Sequence, residues 1–137
     1  MNIIAYSLAV LNNGRLDLNK FAIIIGTRKK LMKNYIRLTL IKDINCAELD
    51  GDVLVPKFPC HSLVFGTLYA LLVKGEVTIS FKDDIPYVLM LHKKAKTFLV
   101  NLGVAYVVRK TKDEVTLALN PVFRRKIETL LELVNSI

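Results

Sequence analysis

The sequence predicts an α+β, mostly helical protein made of two similar modules in tandem and a C-terminal helix. Three observations predict it. The segment Ala9–Leu18, reading AVLNNGRLDL, is echoed by Ala70–Ile79, reading ALLVKGEVTI, with Gly14 and Gly75 in register. In both halves helix-like apolar spacing gives way to a lysine-rich stretch and then to a pair of strand-like segments around a polar tip, and self-similarity at a fixed period marks tandem architecture. The last stretch opens on Asn120-Pro121 and carries apolar residues at four- and three-residue steps, which is helical spacing. The expected pieces are residues 1–57, 58–119 and 120–137.

The chain has 137 residues, enough for one average domain or two small ones. Units of about 60 residues are marginal alone, because small domains bury proportionally less surface. The apolar fraction is 53% and the mean hydropathy +0.38, a surplus that points to a shared core or an oligomer interface. It does not point to a membrane: the longest uncharged run, Phe58–Val73, has 16 residues, short of the roughly 20 a spanning helix needs. Met1–Gly14 lacks the basic start of a signal peptide, so the expected setting is intracellular, in the cytoplasm or nucleoid. There, Cys46 and Cys60 are expected to be reduced core residues rather than a bridge.

In the first module, Ile3, Ile4, Ser7, Leu8 and Leu11 have the spacing of an amphipathic helix. Asn12-Asn13-Gly14 stops it, with Gly14 suited to a left-handed cap. Asp17 is placed to cap a second helix whose buried face is Leu18, Phe21, Ala22 and Ile25. Gly26 permits a sharp turn, and Thr27 is placed to cap a third helix from about Arg28 to Ile41. Leu31, Tyr35 and Leu38 mark its expected inner face, with Lys30, Lys33, Asn34 and Arg37 opposite. Ile44–Glu48 and Asp52–Val55 then read as a hairpin through Leu49-Asp50-Gly51, since Asp-Gly is a strong turn signal.

In the second module, Pro59 opens a helix through about Val73, and Glu76–Ile79 reads as a short strand. Asp83 or Asp84 is placed to cap a helix with Pro86 in its first turn, where proline is tolerated. Another helix is expected from about His92 to Leu102, with Ala95, Phe98, Leu99 and Leu102 as its buried stripe. Val104–Arg109 and Glu114–Leu119 read as two strands around the tip Lys110-Thr111-Lys112-Asp113. In the tail, Asn120 is an N-cap with Pro121 at the first helical position. Phe123, Ile127, Leu130 and Val134 form a heptad-like seam, which either folds back on the chain or pairs with its copy; the homodimer contact is the expected use.

The net charge is +8, and it is clustered. Arg28–Lys42 holds Arg28, Lys29, Lys30, Lys33, Arg37 and Lys42 with no acid, and Ile85–Lys112 holds Lys93, Lys94, Lys96, Arg109, Lys110 and Lys112 with no acid. Such clusters are the footprint of a polyanion partner. A lysine-rich helix face alone is ordinarily solvated surface; two at matching places in a repeat favour nucleic acid.

Leu11, Gly14, Leu18, Phe21-Ala22, Ile25-Gly26, Tyr35 and Leu38 together resemble the helix-turn-helix of the winged-helix superfamily, with Ala22 as the small residue of the second helix and Gly26 in the turn. The resemblance implies a tandem winged-helix protein that binds double-stranded DNA, as a transcriptional regulator, by laying each third helix in the major groove. It assigns Lys29, Lys30, Lys33, Asn34 and Arg37 to the first contact set. It assigns His92, Lys93, Lys94, Lys96, Thr97 and Asn101 to the second, with Arg109, Lys110 and Lys112 on backbone or minor groove. The first hairpin departs from a DNA-contacting wing, because Asp43, Glu48, Asp50 and Asp52 make it acidic. That acidity and the apolar surplus favour the competing reading, a protein-binding scaffold or an accessory subunit of a replication or transcription complex. No enzyme is expected: there is no phosphate-cradling glycine loop, no metal-ligand spacing and no plausible nucleophile triad, and no cofactor is implied. The tyrosines are scattered, at positions that suggest core or sheet edge rather than a stacking platform for single strands.

Overall fold

The computed structural model describes residues 1–82 and 85–137. Among the described residues the fold is α+β, with six α-helices and two three-stranded antiparallel sheets. It divides into two compact units: Met1–Ser62 with Arg125–Ile137, and Leu63–Arg124. The last helix is therefore not a separate piece, since its residues from Arg125 onward belong to the first unit. Among the described residues no helix is long and apolar enough to cross a membrane.

The first unit begins with α1 (Asn2–Leu11), which buries Ile3, Ala5, Tyr6, Leu8 and Ala9. Ser7 is buried too, and its hydroxyl donates to the Ile3 carbonyl at 2.7 Å, so that hydroxyl is not stranded in the core. The chain then reverses through Asn13 and Gly14, both at positive φ. A two-residue strand, β1 (Leu16–Asp17), follows; it is too short to leave an alternating signature in the sequence. In α2 (Leu18–Ile25), the Asp17 carboxylate accepts from the Asn19 and Lys20 backbone N–H groups, and Gly26 closes the helix at φ 82°.

The third helix is α3 (Lys29–Ile36), continued by a π-helical turn over Arg37–Lys42. Its inner face differs from the expected one: Met32, Ile36 and Leu40 are buried, while Leu31, Tyr35 and Leu38 are exposed. Both rows have helical spacing, so the apolar pattern alone does not choose between them. The start of α3 has no side-chain cap, so Thr27 does not serve as one.

The hairpin is β2 (Ala47–Asp50) and β3 (Val53–Pro56), with Asp50 opposite Val53. The turn is thus Gly51-Asp52, further along the chain than the expected Leu49-Asp50-Gly51, with Gly51 at φ 62°. The sheet order β1-β3-β2 places β3 in the middle. Beyond β3 the Lys57 N–H donates to the Cys46 carbonyl at 2.8 Å and the His61 N–H to the Ile44 carbonyl at 3.1 Å. This extended pairing lays Cys60 beside Cys46, and the two are joined as a disulfide. The expectation of reduced cysteines is corrected: spacing along the chain carried no sign that the hairpin would fold the fourteen-residue separation back on itself.

The second unit contains α4 (Leu63–Lys74), β4 (Glu76–Ser80), α5 (Pro86–Asn101), β5 (Ala105–Lys110) and β6 (Glu114–Leu119). The α4 helix starts at Leu63, with Pro59 in the bend before it after a cis Phe58–Pro59 bond. The two helices expected between residues 83 and 102 are a single one, α5, which runs without a break through Val88–Leu91; four apolar residues in a row support a helix as readily as they hide its ends. The expected Asp83 or Asp84 cap lies outside the described residues. In the sheet β4-β6-β5, the central strand β6 is buried from Val115 to Leu119. Thr78 and Thr116, cross-strand partners, share a hydroxyl hydrogen bond of 2.9 Å.

The α6 helix (Pro121–Asn135) is capped by Asn120, whose side-chain oxygen accepts from the Val122 N–H at 2.9 Å. Its seam is not free for a second copy. Ile127 and Val134 are buried at 0% and 1% exposure, and Phe123 is also buried, all within a single chain; Leu130 is half-buried. The expected dimer contact through Phe123, Ile127, Leu130 and Val134 is corrected accordingly, because a monomer already removes this stripe from water.

Candidate nucleic-acid interface

In the first unit, α3 carries two kinds of lysine. Lys29 and Lys33, one turn apart, face the hairpin: the Lys29 Nζ lies 2.9 Å from Asp52 Oδ2 and the Lys33 Nζ 2.8 Å from Asp52 Oδ1. The Asn19 side-chain amide also donates to Asp52, at 3.2 Å. Three donors converge on one carboxylate. The Lys33 ammonium first, then Lys29 and Asn19, hold the Asp52 carboxyl far below the usual carboxylate range. Lys29 and Lys33, expected to project with the rest of the basic set, both pair with Asp52, Lys33 with 25% of its side chain exposed and Lys29 with 56%. The acidic hairpin is likewise partly neutralised from within, with Arg15 3.0 Å from Asp50.

What remains outward on α3 is Lys30, Asn34 and Arg37, all exposed. They stand at i, i+4 and i+7, which is one helical face. Arg28, at the helix start, is exposed as well. Beside this row lie the exposed Leu31, Tyr35 and Leu38. The outward face of α3 is therefore half cationic and half apolar, and it contains no acid.

In the second unit, α5 presents Lys93, Lys94, Thr97 and Asn101 to solvent. His92 and Lys96, also expected in the contact set, are half-buried at the flank of the helix beside the buried Ala95 and Leu99. Phe98 and Leu102, expected inside, are exposed. The inward stripe is narrower than the apolar pattern implied, because Val88, Leu91 and Val100 take up the half-buried flanks instead.

The β5–β6 hairpin carries Arg109, Lys110 and Lys112, all exposed. Arg109 lies 4.0 Å from Glu76 across the sheet. The register between Val107 and Arg109 slips by one residue, leaving Val108 without a cross-strand partner. Such a bulge twists an edge strand away from further pairing. At the tip, the Thr111 N–H donates to the Glu114 carbonyl at 2.9 Å and the Thr111 hydroxyl accepts from the Glu114 N–H at 3.2 Å, which holds Lys110 and Lys112 on a closed turn.

Among the described residues no group of three or more His, Cys, Asp or Glu side chains could hold a metal ion. The sequence reading missed three features of these surfaces: the Asp52 clamp, the exposed apolar rows of α3 and α5, and the disulfide. The first had a readable signal in an acid at a hairpin turn, but its partners are distant in sequence. Compared with known protein families, curated proteins and solved structures, the chain matches none.

Proposed function

We propose that the chain is a double-stranded-DNA-binding protein of winged-helix type, acting inside the cell as a regulator of transcription. The observation that carries the reading is the acid-free row Lys30–Asn34–Arg37 on the outward face of α3. Two cations flank an amide that suits a base edge, and a helix with such a row fits the major groove. The element order of the first unit supports it. Helix, short strand, two helices and a hairpin, with the short strand paired to the second hairpin strand, is the order expected of a winged helix. The second unit departs from that plan, with one helix, α5, where the family has two; its contribution rests on Lys93, Lys94, Thr97, Asn101 and the cations of the β5–β6 hairpin.

A second reading, docking of a protein partner, draws on one observation. Leu31 and Leu38 are 58% and 59% exposed on α3, where a purely DNA-facing helix has little use for two leucines.

Binding of a labelled 20-base-pair duplex, titrated at several salt concentrations, tests the first reading against the second. The DNA reading expects binding that falls steeply with salt, as phosphate contacts require, and that is lost in a K30A/R37A variant. Absence of duplex binding at low salt overturns it and favours the protein partner.

A further inference from the structure

We infer that the outward face of α5 is a site for single-stranded nucleic acid, with Tyr87 and Phe98 stacking on unpaired bases and Lys94 holding the phosphates between them. The inference deepens the nucleic-acid reading and rests on it.

The three residues form one row. Lys94 follows Tyr87 by seven residues and Phe98 follows it by eleven, so at 3.6 residues per turn both fall within about 20° of Tyr87 around the helix. The two rings stand about 16 Å apart along the axis, at 1.5 Å per residue; that is about five nucleotides at 3.4 Å each. Tyr87 is 64% exposed and Phe98 46%. Neither ring is among the residues that α5 buries, Ala95 and Leu99. Thr97 and Asn101, exposed beside the row, add hydrogen-bonding groups, and the whole of Pro86–Asn101 contains no acid.

The placement of charge decides among partners. A protein interface has an apolar centre with charge at the rim. Here a lysine, Lys94, stands between the two aromatic positions, with the exposed Met90 at the side of the row. A second copy would bring Lys94 toward Lys94, which is repulsive. A duplex offers phosphates and base edges but keeps its base faces stacked on one another. An unpaired strand offers base faces to the rings and phosphates to the lysine, the combination used for single strands. The expectation that the chain has no stacking surface rested on tyrosine positions alone; the structure puts Tyr87 in solvent and brings Phe98 onto the same face.

The test measures binding of a labelled 15-nucleotide oligothymidine and of the 20-base-pair duplex, by anisotropy at one fixed low salt concentration. It compares wild type, a Y87L/F98L variant and the K30A/R37A variant. The leucines keep apolar bulk at exposed positions, and an unchanged melting temperature confirms the fold. Each ring contributes roughly tenfold, so Y87L/F98L is expected to weaken oligothymidine binding about a hundredfold while duplex affinity stays within about twofold. The K30A/R37A variant is expected to do the reverse. Unchanged oligothymidine binding by Y87L/F98L, an equal loss on both probes, or no oligothymidine binding by wild type overturns this inference and leaves the duplex reading standing if wild type binds duplex. Failure of wild type to bind either probe overturns both.

Discussion

Asp52, in the turn of the first hairpin, accepts from the Lys33 ammonium at 2.8 Å while Lys29 reaches its other oxygen at 2.9 Å. One carboxylate thus ties the hairpin to the first turns of α3 and subtracts two cations from the outward face. The carboxyl is held far below its ordinary value of 3.8, so its pairing stabilises the fold above about pH 4 and is lost progressively as pH falls below that toward the depressed value. Asp52→Asn is expected to lower the melting temperature at pH 7, with the gap to wild type narrowing below about pH 4. Thermal melts from pH 7 to pH 2.5 check this; a gap independent of pH would show that the amide loses packing rather than charge.

The same variant has a consequence for DNA. Freed from Asp52, Lys29 and Lys33 become available to phosphates, so the slope of log affinity against log salt is expected to steepen by up to about 2, near 0.9 per new contact. Duplex titrations at four salt concentrations read it directly. A shallower slope would mean that the clamp positions α3 for binding and that the two lysines never reach the backbone.

Lys30 and Arg37 are expected to differ from Lys33 in kind. Lys30→Ala and Arg37→Ala each should weaken duplex binding and reduce the salt slope by about 1, whereas Lys33→Ala should mainly cost stability, because its ammonium is spent inside the unit. The check is a pair of measurements on each variant, a melt and a salt titration. Equal effects of all three on DNA would refute the division of α3 into an inner and an outer set of cations.

Ile127 is fully buried within one chain. Ile127→Ala is expected to cost about 2–5 kcal/mol of folding stability, the range for truncating a buried isoleucine, measured by denaturant unfolding. The loss should be the same at low and high protein concentration. A concentration-dependent unfolding midpoint would return the α6 seam to an intermolecular role.

Cys46 and Cys60 close a loop across fourteen residues of sequence. A closure of that length is worth about 3 kcal/mol through the entropy of the unfolded chain, so the oxidised protein should melt well above the protein held in reductant, and thiol titration of the unreduced denatured protein should find no free thiol. Inside a cell such a bond persists in hyperthermophiles but is rare elsewhere. Two titratable thiols in freshly purified protein would contradict the bridge.

Much of the local structure was legible because it is written in short-range chemistry. Asp17 and Asn120 cap helices since each has a side-chain oxygen within reach of the next turn's N–H groups. Gly14, Gly26 and Gly51 mark reversals because each sits at positive φ, and the basic clusters are a matter of counting. The β1 strand was illegible, as two residues have no period.

Which helix face turns inward was decided by the tertiary structure alone. On α3 and the turn after it, the rows Leu31–Tyr35–Leu38 and Met32–Ile36–Leu40 both have helical spacing, and the neighbours of the helix choose the second. On α5 the apolar residues exceed what the unit can bury, and packing left Phe98 and Leu102 outside. The sequence by itself determined the caps at Asp17 and Asn120, the glycine reversals and how much positive charge each stretch carries, because those depend on residues within a few positions of one another. The tertiary structure decided which cations pair with Asp52, which stay exposed, and that Cys46 meets Cys60, because each of those pairings joins residues that only the folded chain brings together.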